Sequence, residues 1–216
     1  MTTYKSVIVQ KPWGYEYLAY ENEDVALWVL HIKKGHSTSM HCHPNKTTGL
    51  VVVSGTVEMK FIADSKRLEA PAKQMIRRGL FHQTCAISDD VIVFEIETPV
   101  NKNDLVRLTD TYGRECQGYE NSQFELPKNE ECLWIDASVR SEFEFHGRKM
   151  TVEQVKLDDK HPDDILIFLQ GNLVRNIDGQ IFNVVRPGDV GLARVVKTVA
   201  DYMDGFSDDC ITLVIR

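Results

Sequence analysis

The chain has 216 residues, 43% of them hydrophobic and 26% charged, the proportions of a folded globular protein rather than a disordered one. Its 25 basic and 32 acidic residues leave a net charge of −7. That argues against a nucleic-acid partner, whose backbone needs a basic face, but not against a small anion held by a few local arginines.

In chain order, the apolar run at residues 7–9 is too short for the core of a signal peptide. No later stretch reaches the roughly 18 apolar residues of a membrane-spanning helix, so no membrane partner is expected. Short runs rich in Val and Ile then recur at residues 27–32, 50–53, 57–62, 91–96, 165–169, 181–185 and 211–215. Turn pairs break them: Lys34-Gly35, Ser54-Gly55, Asp178-Gly179 and Pro187-Gly188. Asp178-Gly179 between two apolar runs predicts a two-residue hairpin. Helical periodicity is scarce, with one weak candidate at 197–203. Many short, evenly spaced strands predict an all-β sandwich or barrel.

The pattern occurs twice. Residues 50–57 resemble residues 166–173, which places Gly55 against Gly171, 116 positions on. Arg78-Gly79 resembles Pro187-Gly188, 109 positions on, and the surplus in the first copy is assigned to a longer hairpin loop around 63–72. A repeat of this length predicts two copies of one small β domain. The polar segment 119–131 supplies the boundary, giving domains at 1–122 and 123–216.

The five cysteines (Cys42, Cys85, Cys116, Cys132 and Cys210) form no C-x-x-C pair. An odd count without such spacing predicts free thiols and a reducing, cytoplasmic setting.

The stretch Gly35-His36-Ser37-Thr38-Ser39-Met40-His41-Cys42-His43 carries the clearest chemistry. Residues two apart on a strand share a face, so His41 and His43 point to one side and Cys42 to the other. Gly79-Leu80-Phe81-His82 adds a third imidazole. Neutral imidazole suits divalent transition metals such as Zn, Fe, Mn, Co or Ni. Gly35, five residues, His41-x-His43, then Gly55, then Gly79-x-x-His82 resembles the two sequence motifs of the cupin family. The resemblance implies two tandem cupin-like barrels (double-stranded β-helix, or jelly-roll) and a metal held by His41, His43 and His82.

Within that family, Lys11-Pro12-Trp13-Gly14-Tyr15-Glu16 resembles the opening segment of the cupin domain of type II phosphomannose isomerases. Val51–Thr56 resembles the strand after their metal motif. Phe94–Thr98, Asp104–Arg107 and Asp110-Thr111-Tyr112-Gly113-Arg114 resemble that domain's end. Together these cover the first half of the chain. The chain departs at Thr48, where the family carries a metal-binding Glu. A site of three neutral histidines leaves a divalent ion its full charge and favours an anionic oxygen ligand. The second copy carries Leu157, Asp159 and Gly191 where the first has its histidines, so its metal site is expected to be lost and its role to be packing, a lid or dimerisation.

The resemblance also implies Arg107 and Arg114 near a sugar phosphate, whose oxygens suit arginine's forked donors. Arg114 is the preferred candidate. Arg107 is equally explained by a surface salt bridge to Asp104 or Asp110, and Lys102 reads as a solvated-loop residue able to contact substrate. Thr48 joins the substrate-binding candidates. Glu95 and Glu97 make one face of an apolar strand acidic, and an inward face would make Glu95 a general base. The expected function is that of a metal-dependent sugar isomerase or epimerase in polysaccharide precursor metabolism. Its substrate would be a small anionic sugar, phosphorylated or nucleotide-linked, and the protein a homodimer. The alternatives are a three-His iron oxygenase of the thiol-dioxygenase kind, which also lacks the Glu, and a non-catalytic sugar-binding protein with two cupin domains.

Overall fold

The protein divides into two compact units, residues 1–134 and 135–216. The computed structural model describes residues 4–119, 124–125 and 132–216. Of the polar segment 119–131, residues 120–123 and 126–131 lie outside the described residues. The division falls later than the expected 122/123 boundary for a physical reason. Phe124–Glu125 pairs with the first strand of the chain, and the Leu133 amide donates to the Tyr17 hydroxyl at 2.9 Å, which ties this stretch to the first unit.

The first unit contains β1 (Ile8–Lys11), β2 (Gly14–Glu21), β3 (Ala26–Ile32), β4 (Met40–Cys42), β5 (Thr47–Ser54), β6 (Thr56–Phe61), β7 (Ser65–Glu69), β8 (Ala72–Ile76), β9 (His82–Ala86), β10 (Val91–Thr98), β11 (Val106–Thr109) and β12 (Phe124–Glu125). They form two antiparallel sheets in the orders β12-β1-β2-β3-β10-β5-β8 and β11-β4-β9-β6-β7. After β3 the chain alternates between the sheets except at the β6–β7 hairpin, which stays within one of them, the arrangement of a double-stranded β-helix. The apolar runs of β3, β5 and β10 explain their central position, because a strand buried on both faces must be apolar on both. Trp28, Leu30, Leu50, Val52, Val91 and Val93 lie in one buried cluster between the sheets, and each such side chain contributes about 1.5–3 kcal/mol by leaving water.

The second unit contains β13 (Ser141–Phe145), β14 (Arg148–Gln154), β15 (Ile165–Gln170), β16 (Leu173–Ile177), β17 (Gln180–Val185), β18 (Val190–Leu192), helix α1 (Ala193–Ala200), β19 (Gly205–Phe206) and β20 (Ile211–Ile215). Its sheets run β13-β14-β20-β15-β18 and β17-β16-β19. The order β14-β20-β15-β18 repeats β3-β10-β5-β8, and β17-β16-β19 repeats β7-β6-β9. The described residues are therefore all-β apart from one short helix.

Strand register corrects the expected alignment of the copies. Gly188 precedes β18, which pairs with β15 as β8 pairs with β5. Its counterpart is the turn at Ala70-Pro71, not Gly79, so the offset stays close to 116 and no loop surplus arises. Gly191 on β18 therefore does not correspond to His82 on β9, whose equivalent strand is β19. The helix starts at Ala193, four residues before the expected 197, because Val196 must join Leu166, Phe168 and Val214 in the core. The Asp178-Gly179 hairpin forms as predicted, with positive φ at both residues (53° and 85°), the requirement of a type I′ turn.

Candidate metal centre

β4 lies between β9 and β11. That register sets His41 directly opposite His82 on one side and Arg107 on the other. His43 follows β4 and shares the face of His41. All three imidazoles are buried, and their ligand nitrogens lie within 4.8 Å of one another.

The unliganded ends of the rings are fixed by the main chain. His41 Nδ1 lies 2.8 Å from the Ser39 carbonyl, His82 Nδ1 3.0 Å from the Leu80 carbonyl and His43 Nδ1 2.6 Å from the Asp104 carbonyl. A carbonyl oxygen only accepts, so each Nδ1 carries the proton and each Nε2 presents a lone pair. Burial, followed by repulsion from His82 and His43, holds His41 well below the usual histidine range. Burial pushes His82 down to about 4. Neutral rings with Nε2 lone pairs turned to one point are what a divalent transition ion requires. His43 Nε2 is buried with no hydrogen-bond partner, which fits a nitrogen reserved for such an ion.

Beside this cluster lies a set of six buried charges. Glu95 on β10 faces the interior, with Oε1 3.7 Å from His43 Nε2 and Oε2 3.6 Å from Lys102 Nζ. Lys102 also reaches Glu16 at 3.3 Å and Glu97 at 3.2 Å, and its ammonium sits 3.9 Å from the centre of the Trp28 ring. Lys46 pairs with Glu97 at 3.0 Å, and Lys11 with Glu16 at 3.5 Å beneath the Tyr119 ring. The Tyr119 hydroxyl donates to Glu16. Burial alone would raise Glu95, but the charges around it, Lys102 foremost and then Lys46, help to hold the carboxyl well below its ordinary range. For Lys102, burial is outweighed by Glu16, Glu97 and Glu95, which raise it above the usual lysine range.

Lys102 is thus a central buried cation, not the solvated-loop residue its surroundings in sequence suggest. Glu95 faces inward. Arg114 is clamped by Asp110, Nε to Oδ2 at 2.7 Å and Nη2 to Oδ1 at 2.8 Å. Arg107 donates to the carbonyls of Gln117 and Gly118, and its charge also helps to stabilise the Asp110 carboxylate. Thr48 is fully buried on the inner face of β5, opposite Glu97 on β10. Its hydroxyl has no hydrogen-bond partner, and it stands outside the pocket lining.

The lining brings together the three histidines, Ser39, Lys11, Lys46, Lys102, Arg107, Arg114, Glu16, Glu95, Glu97 and Tyr119. Five cations face three carboxylates there, so the pocket is locally positive on an acidic chain. Its volume of about 60 Å³ accommodates roughly four to six water-sized groups. Lys11, Glu16 and Lys46 were not anticipated, because partners such as Glu97 for Lys46 and Lys102 for Glu16 lie far along the chain and leave no local pattern. Cys42 and Cys85 are raised by burial, and all five cysteines are free.

In the second unit the same addresses carry no such chemistry. Glu95 pairs with Leu50 on β5 and Trp28 on β3. Leu166 corresponds to Leu50, and it pairs with Val214, which in turn faces Thr151 on β14. Valine therefore stands where the first unit has Glu95. His41, His43 and His82 form the one potential metal cluster among the described residues, and no helix there is long and apolar enough to cross a membrane.

No protein-family model and no curated protein matches the chain. Among solved structures it is similar to KdgF from Halomonas sp., at 16% identity and TM-score 0.41 over 44% of this chain and 88% of that one. It is also similar to the capsular polysaccharide assembling protein CapF from Staphylococcus aureus, at 17% identity and TM-score 0.41 over 48% of this chain and 32% of CapF. A cupin-2 domain containing protein from Shewanella frigidimarina is similar at 18% identity and TM-score 0.36, over 43% of this chain and 85% of that protein.

Proposed function

We propose that this chain is a metal-dependent sugar isomerase or epimerase with two cupin domains, the first catalytic and the second a silent copy. The observation that carries this reading is the set of three buried imidazoles with carbonyl-fixed Nδ1 atoms and converging Nε2 atoms, next to the ionised Glu95. His41, His43 and His82 would hold a divalent transition ion, which would supply Lewis-acid polarisation of a carbonyl or hydroxyl oxygen. Glu95 takes the proton from the adjacent substrate carbon and returns it. Lys102 orients Glu95 through its second oxygen.

The small, locally positive pocket supports an anionic sugar whose reacting end enters while a phosphate or nucleotide stays at the mouth. Arg107 is the better receptor for that group. Its guanidinium lines the pocket beside His41, its partner across the β4–β11 pair. Five free thiols fit a reducing, cytoplasmic setting.

The test is metal analysis of the purified chain, titration with Zn, Mn, Fe, Co and Ni, and a screen of sugar phosphates and nucleotide sugars. Tight binding of one ion, lost in His82→Ala, and turnover of a sugar support the reading; an intact protein that binds none of these ions overturns it. A second reading rests on Thr48, which leaves the ligand set without its carboxylate. A three-His iron oxygenase would consume oxygen with Fe(II) and small thiols and leave sugars unchanged.

A further inference from the structure

β17 is the outer strand of the second unit's three-stranded sheet, and it lacks the protection that edge strands carry. Natural edges are blunted by charges, which stop them pairing with other chains. The first unit follows that rule: its outer strand β7 reads Ser-Lys-Arg-Leu-Glu. At the same place in the strand order, β17 reads Gln-Ile-Phe-Asn-Val-Val with no charge. Ile181, Phe182 and Val184 are 67%, 42% and 42% exposed.

We propose that β17 joins two copies of this chain, pairing antiparallel with its counterpart about a two-fold axis centred on Phe182. The hairpin sets this register. In a two-residue hairpin the flanking residues Ile177 and Gln180 share hydrogen bonds, and bonded and unbonded pairs then alternate. Phe182 opposite Arg175 is a bonded pair, while Ile181 opposite Asn176 and Asn183 opposite Val174 are not. The backbone groups of Ile181 and Asn183 therefore point away from β16, along the open edge. The axis at Phe182 sets Ile181 of one copy against Asn183 of the other, so both outward-facing residues bond at once. It also sets the two Phe182 rings side by side in the closer, unbonded position, where aromatic pairs are favourable.

Charge complementarity identifies the occupant as a second copy. The same register places Asp178, in the turn, opposite Arg186 of the other copy, and by symmetry does so twice. Arg186 already lies along this edge, its Nε donating to the Asn183 carbonyl at 3.1 Å, a bond that pairing exchanges for the Ile181 amide of the other copy while Arg186 turns to Asp178. An isologous contact of this kind closes on itself and makes a dimer rather than a fibre.

Sedimentation velocity of the full chain from about 1 to 100 µM tests this. The wild-type chain is expected to be a dimer, and Phe182→Lys a monomer with an unchanged far-UV spectrum, since the site is exposed. Arg186→Glu sets two carboxylates against each other and weakens the dimer about tenfold. Adding Asp178→Asn to that variant recovers most of the loss. A wild-type chain that stays monomeric throughout, or a dimer indifferent to Phe182→Lys, overturns the interface; failure of Asp178→Asn to recover the Arg186→Glu loss overturns the register.

Discussion

The carbonyl of Asp104 accepts a hydrogen bond from His43 Nδ1 at 2.6 Å, while its carboxylate receives the amides of Asn45 and Lys46, each at 2.9 Å. One residue thus holds both an imidazole and the turn that follows it. Asp104→Ala keeps the carbonyl but releases the turn, leaving the buried Lys46 amide and the part-buried Asn45 amide without that acceptor. The expected result is a stability loss of about 2–3 kcal/mol in chemical denaturation. Metal affinity should fall about tenfold in a competition titration.

Lys46 is buried against Glu97 at 3.0 Å. Lys46→Met leaves a buried carboxylate with one cation fewer and should cost about 3–5 kcal/mol. The double variant with Glu97→Met should recover much of that, because removing both charges also removes their desolvation. Urea unfolding of the two variants measures the difference, and equal losses would refute the coupling.

Glu95→Gln preserves shape and leaves Lys102 with Glu16 and Glu97. Under the proposed function, metal binding should persist while turnover falls about 10²–10⁴-fold. A parallel loss of metal would move Glu95 from proton transfer to the ion's own ligand set.

The Asp110–Arg114 clamp gives a pH dependence of defined sign. Burial raises Asp110, but the hydrogen bonds and charge of Arg114 prevail and hold it below the usual carboxylate range. A depressed folded value contributes stability above the unfolded value of about 3.9, and that contribution is lost as pH falls through the folded value. Asp110→Asn should therefore be about 2–3 kcal/mol less stable than wild type at pH 7, with the gap closing below about pH 4. Melting curves across that range check the sign; a gap constant with pH would mean the pair contributes nothing through charge.

Local chemistry was legible in the chain and long-range pairing was not. The Val- and Ile-rich runs became β3, β5, β6, β10, β15, β17 and β20, and the alternation at His41-x-His43 correctly put both rings on one face. Asp178-Gly179 specified its turn because only a few residues accept positive φ there. Turn chemistry misled where two turns look alike: Gly79 and Gly188 sit in similar dipeptides but join different strands. The partners of the two arginines were hard to read for a related reason. Asp110 lies four residues from Arg114 and three from Arg107, and spacing alone does not reveal which guanidinium closes on it. Lys102 looked solvated because the carboxylates that bury it come from β2 and β10.

Two of the three imidazoles are held by carbonyls of the residues two positions before them, Ser39 for His41 and Leu80 for His82. A carbonyl is present whatever side chain its residue carries. Substitutions at Ser39, which lines the pocket, can therefore reshape its wall while the His41 ring keeps its hold, so what the pocket admits is free to change in descendants of this chain without disturbing the imidazole cluster.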